Sequence, residues 1–243
     1  MIDLWLHFIK RLTPEGIRWP WSLVYNKLSH TAIFLRHYEL VAHDVAGYGE
    51  AHSILDIGTG PGRLLLAIHE VLPDARLAGV DISPAMVALA RRNLEAHGPQ
   101  TYFQLRVADA SALPFPDGAF DRVVSTGSLH HWRNQVGAFS EMHRVLKPGG
   151  YSLTYDLVRD VRSAAGEDAR ARFGKLRFAV LSLHAYAEPF LDVEEMKALG
   201  KQTGFMVQGT KFVGALCCLV LRKAAPAEVT PQVIPKQAGT VSP

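Results

Sequence analysis

Ser53-Ile54-Leu55-Asp56-Ile57-Gly58-Thr59-Gly60-Pro61-Gly62-Arg63 is the stretch that decides the fold. Ser53–Ile57 is a short apolar run of strand length, and Gly62–Val71 behind it has helical periodicity. Three glycines at alternate positions therefore occupy a strand-to-helix turn. Glycine permits positive φ and lets the backbone come close to a ligand. The helix start adds unpaired N–H groups and a partial positive charge, a setting for a phosphate or a carboxylate. A dinucleotide fingerprint needs its third glycine one residue later, where this chain has Arg63. The turn reads as a ligand loop of a different kind.

Outward from the loop the alternation continues. Arg76–Asp81 reads as a strand and Pro84–His97 as a helix with proline in its first turn. Tyr102–Ala108 and Phe120–Ser125 read as strands. A helix near Asn134–Leu146 stops at Lys147-Pro148-Gly149-Gly150, and Tyr151–Asp156 is a fifth strand. Asp192–Thr203 reads as a helix, then Phe205–Val213 and Ala215–Arg222 as strands. This order implies right-handed βαβ units, a largely parallel sheet, and a ligand outside the carboxyl ends of its strands.

Two acids fall at such ends. Asp81 closes the second strand, nineteen residues beyond Gly62, where a carboxylate can accept both hydroxyls of a ribose. It can equally be a strand-end acid beside Ser83, the residue placed to cap the next helix. Asp109-Ala110 follows the third strand. There a carboxylate accepts from an exocyclic amine while the next backbone N–H donates to a ring nitrogen, which suits adenine.

Hydrophobic residues make up 48% of the 243-residue chain and charged residues 20%, values of a globular protein with a sizeable core. The net charge of +3 is mild, and Lys and Arg are dispersed, which argues against a nucleic-acid partner. The two cysteines, Cys217 and Cys218, are adjacent, so they make no ordinary internal disulfide and fit a reducing compartment. No run reaches the ~18 apolar residues of a membrane span. Met1–Arg11 is apolar but lacks the charge order and cleavage site of a signal peptide, and the expected location is the cytoplasm.

Residues 1–50 are expected to form an N-terminal helical lid, with Leu4, Trp5, Phe8, Ile9 and Leu12 on one face and a second helix over Leu23–Ala46. A core spans 51–223 and carries a helical insertion at about 157–189. Residues 224–243, with prolines at 226, 231, 235 and 243, read as a disordered tail.

Ile54–Leu64, Gly79–Asn93, Val107–Ala110, Leu113–Ser125 and His143–Tyr151 resemble the ordered motifs of class I S-adenosylmethionine-dependent methyltransferases, in the group containing the ubiquinone and menaquinone methyltransferases. Phe190-Leu191-Asp192 through Phe205 resembles that group's late helix and strand. The resemblance leaves residues 1–50 and 157–189 uncovered. It implies a Rossmann-like three-layer α/β sandwich, with a largely parallel seven-stranded sheet, an antiparallel last strand and helical lid elements. It also implies S-adenosylmethionine as the cofactor. Asp56, Gly58, Gly60 and Gly62 would line the methionine part, and Asp81 the ribose. Ile82 and Met86 would lie against adenine, Asp109 and Ala110 at its edge, and Ser125 beside the sulfonium.

Methyl transfer from a sulfonium needs alignment and dryness, and it requires no metal. A general base is needed where the acceptor is a weak nucleophile. His130 and His131, in Ser128-Leu129-His130-His131-Trp132, are the candidates, with packing as the competing role. Ser128, Tyr25 and Tyr155 are candidate acceptor contacts. Asp156 next to Tyr155 is placed either to touch the acceptor or to pair with a neighbouring base.

The expected acceptor is a small, apolar or aromatic molecule. Trp5, Phe8, Trp19 and Trp21 offer either lid packing or weak contact with a membrane surface. Two rival readings are a non-catalytic cofactor-binding module and a nucleotide-dependent oxidoreductase. Arg63 and the Asp109-Ala110 pair argue against the second.

Overall fold

The computed structural model describes residues 31–96, 103–159 and 190–226. Seven strands form one sheet: β1 (Ser53–Ile57), β2 (Arg76–Asp81), β3 (Phe103–Val107), β4 (Phe120–Thr126), β5 (Leu146–Asp156), β6 (Met206–Val213) and β7 (Leu216–Arg222). The described helices are α1 (Ala32–Ala46), α2 (Arg63–Val71), α3 (Pro84–Glu95), α4 (Gln135–Val145) and α5 (Val193–Gln202), with a single 3-10 turn at Leu129–His131.

The strand order is β3-β2-β1-β4-β5-β7-β6. β1 pairs in parallel with β2 and β4, β2 with β3, and β4 with β5, whereas β7 runs antiparallel to both β5 and β6. The chain builds outward from β1 in one direction and then restarts at β4 on its other side. The connections after β1 and β4 thus leave in opposite directions and open a crevice at their carboxyl ends. The glycine loop sits at this crevice.

Alternation along the strands divides the core. Leu55 and Ile57 pack with Phe139, Met142 and Met196 on the side of α4 and α5. Ile54 packs with Val41, Val45, Leu64 and Ile68 on the side of α1 and α2. All five residues of β1 are buried, as expected for a central parallel strand covered on both faces.

Capping side chains mark the starts of α3, α4 and α5. The Ser83 hydroxyl accepts the Met86 N–H at 3.3 Å with Pro84 in the first turn. Asp192 and Glu195 form a reciprocal capping box on α5.

One expectation needs correcting at β5. Lys147-Pro148-Gly149-Gly150 does not separate a helix from a strand. The strand begins at Leu146, paired with Phe120, and the register then jumps so that Arg122 pairs with Tyr151. The displaced residues are tied down from the end of β7. Gly149 N–H donates to the Lys223 carbonyl and Lys223 N–H to the Gly150 carbonyl, both at 2.9 Å. The Lys223 ammonium meanwhile donates to the His143 carbonyl in the last turn of α4 and to the Leu146 carbonyl at the start of β5, each at 2.8 Å.

Of the expected N-terminal lid, α1 is described. The helix around residues 4–12, Tyr25, the helices expected between 160 and 189 and the tail beyond Pro226 lie outside the described residues. Among the described residues no helix is long and apolar enough to cross a membrane.

Candidate functional site

The loop after β1 is stitched to the end of β2. Gly58 and Thr59 N–H groups both donate to the Val80 carbonyl at 2.9 Å. Gly60 N–H donates to Asp81 Oδ2 at 2.9 Å, and Ser83 N–H to Asp81 Oδ1 at 2.8 Å. From α3, Asn93 Nδ2 donates to the Pro61 carbonyl at 2.8 Å. Asp81 is thus a strand-end carboxylate that holds two turns at once. Burial raises its pKa, and the Ser83 and Gly60 N–H groups oppose that rise. A carboxylate has about four acceptor positions, so capacity remains for ribose hydroxyls.

Two glycines are demanded by geometry. Gly58 has φ +73°, and a Cβ there would lie 2.0 Å from Ser128 Oγ. Gly62, the residue before α2, has φ +77° and faces Ala90 of α3 at 3.2 Å from where its Cβ would stand. Both need the left-handed region, and at both the backbone passes close to a neighbour.

Beneath the loop, Asp56 is 1% exposed and neither carboxylate oxygen has a hydrogen-bond partner. Burial pushes its pKa up to about 7. The Thr59 hydroxyl, near enough to favour the charged form yet outside hydrogen-bond geometry, moderates this, and the Asp81 charge adds to it. Ser125, at the end of β4, is fully buried with its hydroxyl also unpartnered.

On the other flank Asp109 is exposed, and its Oδ1 accepts from the Ser111 N–H at 2.7 Å and the Ser111 hydroxyl at 2.8 Å. Oδ2 is left uncommitted. Ala110 and Met86 are buried and Ile82 is half-buried. The segment that follows is gripped from α4. Glu141 accepts the Leu113 N–H at 2.7 Å, while Arg144 donates to the Leu113 carbonyl at 3.0 Å and the Phe115 carbonyl at 2.7 Å. Sequence reading passed over this pair. Its signal was a Glu and an Arg three apart on one helix, a spacing that puts both on one face.

Beyond β4, His130 is buried against the carboxylate that ends β5. Its Nδ1 lies 2.9 Å from Asp156 Oδ2 and 3.0 Å from Oδ1, and its backbone N–H donates to Oδ2 at 3.1 Å. Asp156 is itself 2% exposed and accepts the Leu157 N–H at 2.8 Å. The His130 ring packs on Phe190, centroid to centroid 4.2 Å, and on His131 at 3.9 Å. His131 is exposed. Ser128 Oγ accepts the Trp132 indole N–H at 3.0 Å while covering Gly58.

Tyr155 departs from its expected place. Odd positions of β5 face α1 and α2, so Tyr155 is fully buried in that core and donates its hydroxyl to Asp44 Oδ2 of α1 at 2.8 Å. Lys211 pairs with the other Asp44 oxygen. Burial, then the nearby Cys218 and Asp44, hold the phenol well above its ordinary pKa. Tyr155 is a packing and anchoring residue with no free surface for an acceptor. Asp156, its neighbour in sequence, takes the opposite face.

The residues at the crevice can be tested against a nucleoside joined to an amino acid. The orphaned Asp56 carboxylate fits a cationic amino group, and Asp81 and Asp109 fit ribose and adenine edges. Fold and crevice together define a Rossmann-like binder of such a ligand.

The model of a methyltransferase domain matches residues 54–150. A demethylmenaquinone methyltransferase of Thermus thermophilus is 35% identical over 170 residues, 64% of this chain and 74% of that protein. An erythromycin 3''-O-methyltransferase of Saccharopolyspora erythraea is 29% identical over 67% of this chain and 53% of its own length. A SAM-dependent methyltransferase from Aquifex aeolicus shares the fold, with TM-score 0.63 at 18% identity over 83% of this chain and 97% of that one. The chain belongs to the class I S-adenosylmethionine-dependent methyltransferases, in the group of the ubiquinone and menaquinone enzymes. S-adenosylmethionine is its cofactor and methyl transfer its reaction.

Proposed function

We propose that this methyltransferase acts on a small, apolar or aromatic acceptor that presents a proton-bearing atom to His130. The relatives' names give demethylmenaquinone and erythromycin as acceptors, both small organic molecules, one methylated on oxygen by its name. The observation that carries the reading is the buried His130–Asp156 pair at the carboxyl ends of β4 and β5, beside the glycine crevice.

When bound, the cofactor supplies a methyl carbon activated by a sulfonium, with a neutral thioether as the leaving group. The chain's own contribution is position and proton handling. Asp56, the glycine loop and Asp81 would hold the methionine and ribose parts. Asp109 and Ala110 would hold the adenine edge, with Ile82 and Met86 against its face, and Ser125 would stand at the floor. Alignment of this kind is worth about 7–11 kcal/mol.

With the two Asp156 oxygens accepting from Nδ1–H, Nε2 is the nitrogen left to take a proton from an acceptor hydroxyl or acidic carbon. Among the described residues no hydrogen bond engages Nε2. Phe190 and Trp132 give the surroundings an aromatic lining. Free thiols at Cys217 and Cys218 accord with a cytoplasmic setting.

The test follows formation of S-adenosylhomocysteine with a panel of phenols and quinols. His130→Ala and Asp156→Asn should each lower turnover by roughly 10²–10⁴, the usual contribution of a positioned base, with S-adenosylhomocysteine affinity unchanged. Full turnover in both variants assigns the pair to packing.

A further inference from the structure

Residues 108–119, between β3 and β4, carry the proposed adenine edge on turns and bends in place of a helix or strand. At the near end Ala108 N–H donates to the Asp81 carbonyl at 3.1 Å, which ties the segment to β2. A turn over 109–112 follows, closed by Ala112 N–H to the Asp109 carbonyl at 3.0 Å. Immediately beyond it Leu113 is held by both of its backbone groups. Its N–H donates to Glu141 Oε2 at 2.7 Å and its carbonyl accepts from Arg144 at 3.0 Å. The turn that bears Asp109 and Ala110 is thus suspended between β2 and α4.

Arg144 is committed to its full capacity. Nε donates to Glu141 Oε1 at 2.7 Å. One terminal nitrogen donates to Glu141 Oε2 at 2.8 Å and the Leu113 carbonyl at 3.0 Å. The other donates to the Phe115 carbonyl at 2.7 Å and to the exposed Asp117 Oδ1 at 2.8 Å. These five bonds match the five N–H groups of a guanidinium, whereas a lysine has three donors and no planar fork. Glu141 and then Asp117 raise the Arg144 pKa above its ordinary value, and Arg144 holds the Glu141 carboxyl below its own against the opposing effect of burial. The Leu113 and Phe115 side chains are buried in the core, but apolar burial is non-directional. It sets the depth of the segment, and the guanidinium sets the orientation of its peptides.

We propose that Arg144, oriented by Glu141, is a positioning residue that sets the selectivity for adenine over other bases in the methyl donor. It acts through the Leu113 and Phe115 carbonyls on the turn at 109–112, which offers the Asp109 carboxylate and the Ala110 N–H to the base. The inference rests on the reading of Asp109 and Ala110 as the adenine edge and adds what aims that edge. A 6-oxo purine reverses both groups, so that an oxygen faces the carboxylate and a ring N–H faces the backbone N–H. Discrimination depends on both partners lying in line, because hydrogen bonds weaken steeply off-line. The glycine loop and Asp81 keep their places when Arg144 is lost, since their ties run to β2 and α3.

Calorimetric titration of the full chain with S-adenosylhomocysteine and with S-inosylhomocysteine gives the ratio of the two dissociation constants. The unsubstituted chain should favour the adenine ligand roughly tenfold to 150-fold, the worth of one hydrogen bond to a charged group. Arg144→Lys keeps the charge but loses the fork, and should lower that ratio about fivefold or more. Glu141→Gln keeps the volume and one acceptor, and should move the ratio in the same direction by less. Loss of stability alone leaves the ratio of the folded molecules untouched, so the ratio separates aiming from support. An unchanged ratio in Arg144→Lys overturns the proposal whatever that variant's melting temperature, and where it does not fold, an unchanged ratio in Glu141→Gln does so. Asp109→Ala should abolish the preference. An unsubstituted chain that binds both ligands equally, or full preference in Asp109→Ala, overturns the adenine-edge reading itself.

Discussion

Asp81→Ala removes a carboxylate that ties two turns of the fold and that we propose also receives the ribose, and the two effects are separable. In the free protein it deprives Gly60 and Ser83 N–H groups of their acceptors, at 2.9 and 2.8 Å. A hydrogen bond to a charged group is worth about 1.5–3 kcal/mol. Asp81 is only half-buried, so water replaces part of this, and the two losses together should cost about 1–3 kcal/mol of folding stability.

With ligand, the variant also lacks the proposed acceptor for the ribose hydroxyls, and Gly60 loses its tie to β2 while Gly58 and Thr59 keep theirs to the Val80 carbonyl. A further loss of about 1–3 kcal/mol in S-adenosylhomocysteine affinity is expected, roughly fivefold to 150-fold in Kd. Urea unfolding of the free protein measures the first quantity and calorimetric titration the second. Asp81→Asn keeps the volume but presents an amide NH₂ to one of the two N–H donors, so it should move in the same direction. A destabilised variant with unchanged ligand affinity would show that Asp81 tethers the loop and leaves the ribose alone. No change in either quantity would refute the stitching argument.

Gly58→Ala places a methyl 2.0 Å from Ser128 Oγ on a backbone at φ +73°. The strain alone is about 1–2 kcal/mol, so binding of S-adenosylhomocysteine should weaken sharply, and titration at wild-type affinity would contradict the geometry. Adding Ser128→Gly, which removes both the Oγ and the Cβ that would stand at 2.6 Å, should relieve the clash and leave the strain. Tyr155→Phe loses one buried hydrogen bond to Asp44, which keeps Lys211 as a partner. It should cost about 1–3 kcal/mol in urea unfolding with turnover per folded molecule unchanged, and a selective fall in turnover would return Tyr155 to the acceptor.

How far the site was legible depended on which physical signal each residue carries. Gly58, Gly60, Gly62, Asp81 and Asp109 could be read because each stands at the carboxyl end of a strand or in the turn beyond it, where periodicity breaks. Loop chemistry of that sort is local. The partner of a side chain is not. Tyr155 and Asp156 are neighbours, and the pleat sends them to opposite faces, one to Asp44 and one to His130. Neither partnership can be found from spacing, since Asp44 and Tyr155 lie 111 residues apart and His130 and Asp156 lie 26 apart. The bulge at Lys147–Gly150 was hidden for a related reason. Pro-Gly-Gly signals a break, and only the backbone of Gly149, Gly150 and Lys223 shows that the break lies inside a strand.

By itself, then, the sequence determined the order of strands and helices, the parallel sense of the sheet, and a nucleoside-type crevice at the end of β1. These follow from local periodicity, turn chemistry and the handedness of βαβ units. Tertiary structure decided which histidine is held by a carboxylate, that Tyr155 belongs to the core, and that Asp56 is buried without a partner. These properties belong to pairs of distant residues and to the water excluded between them, and the chain acquires them only when the sheet closes over its own helices.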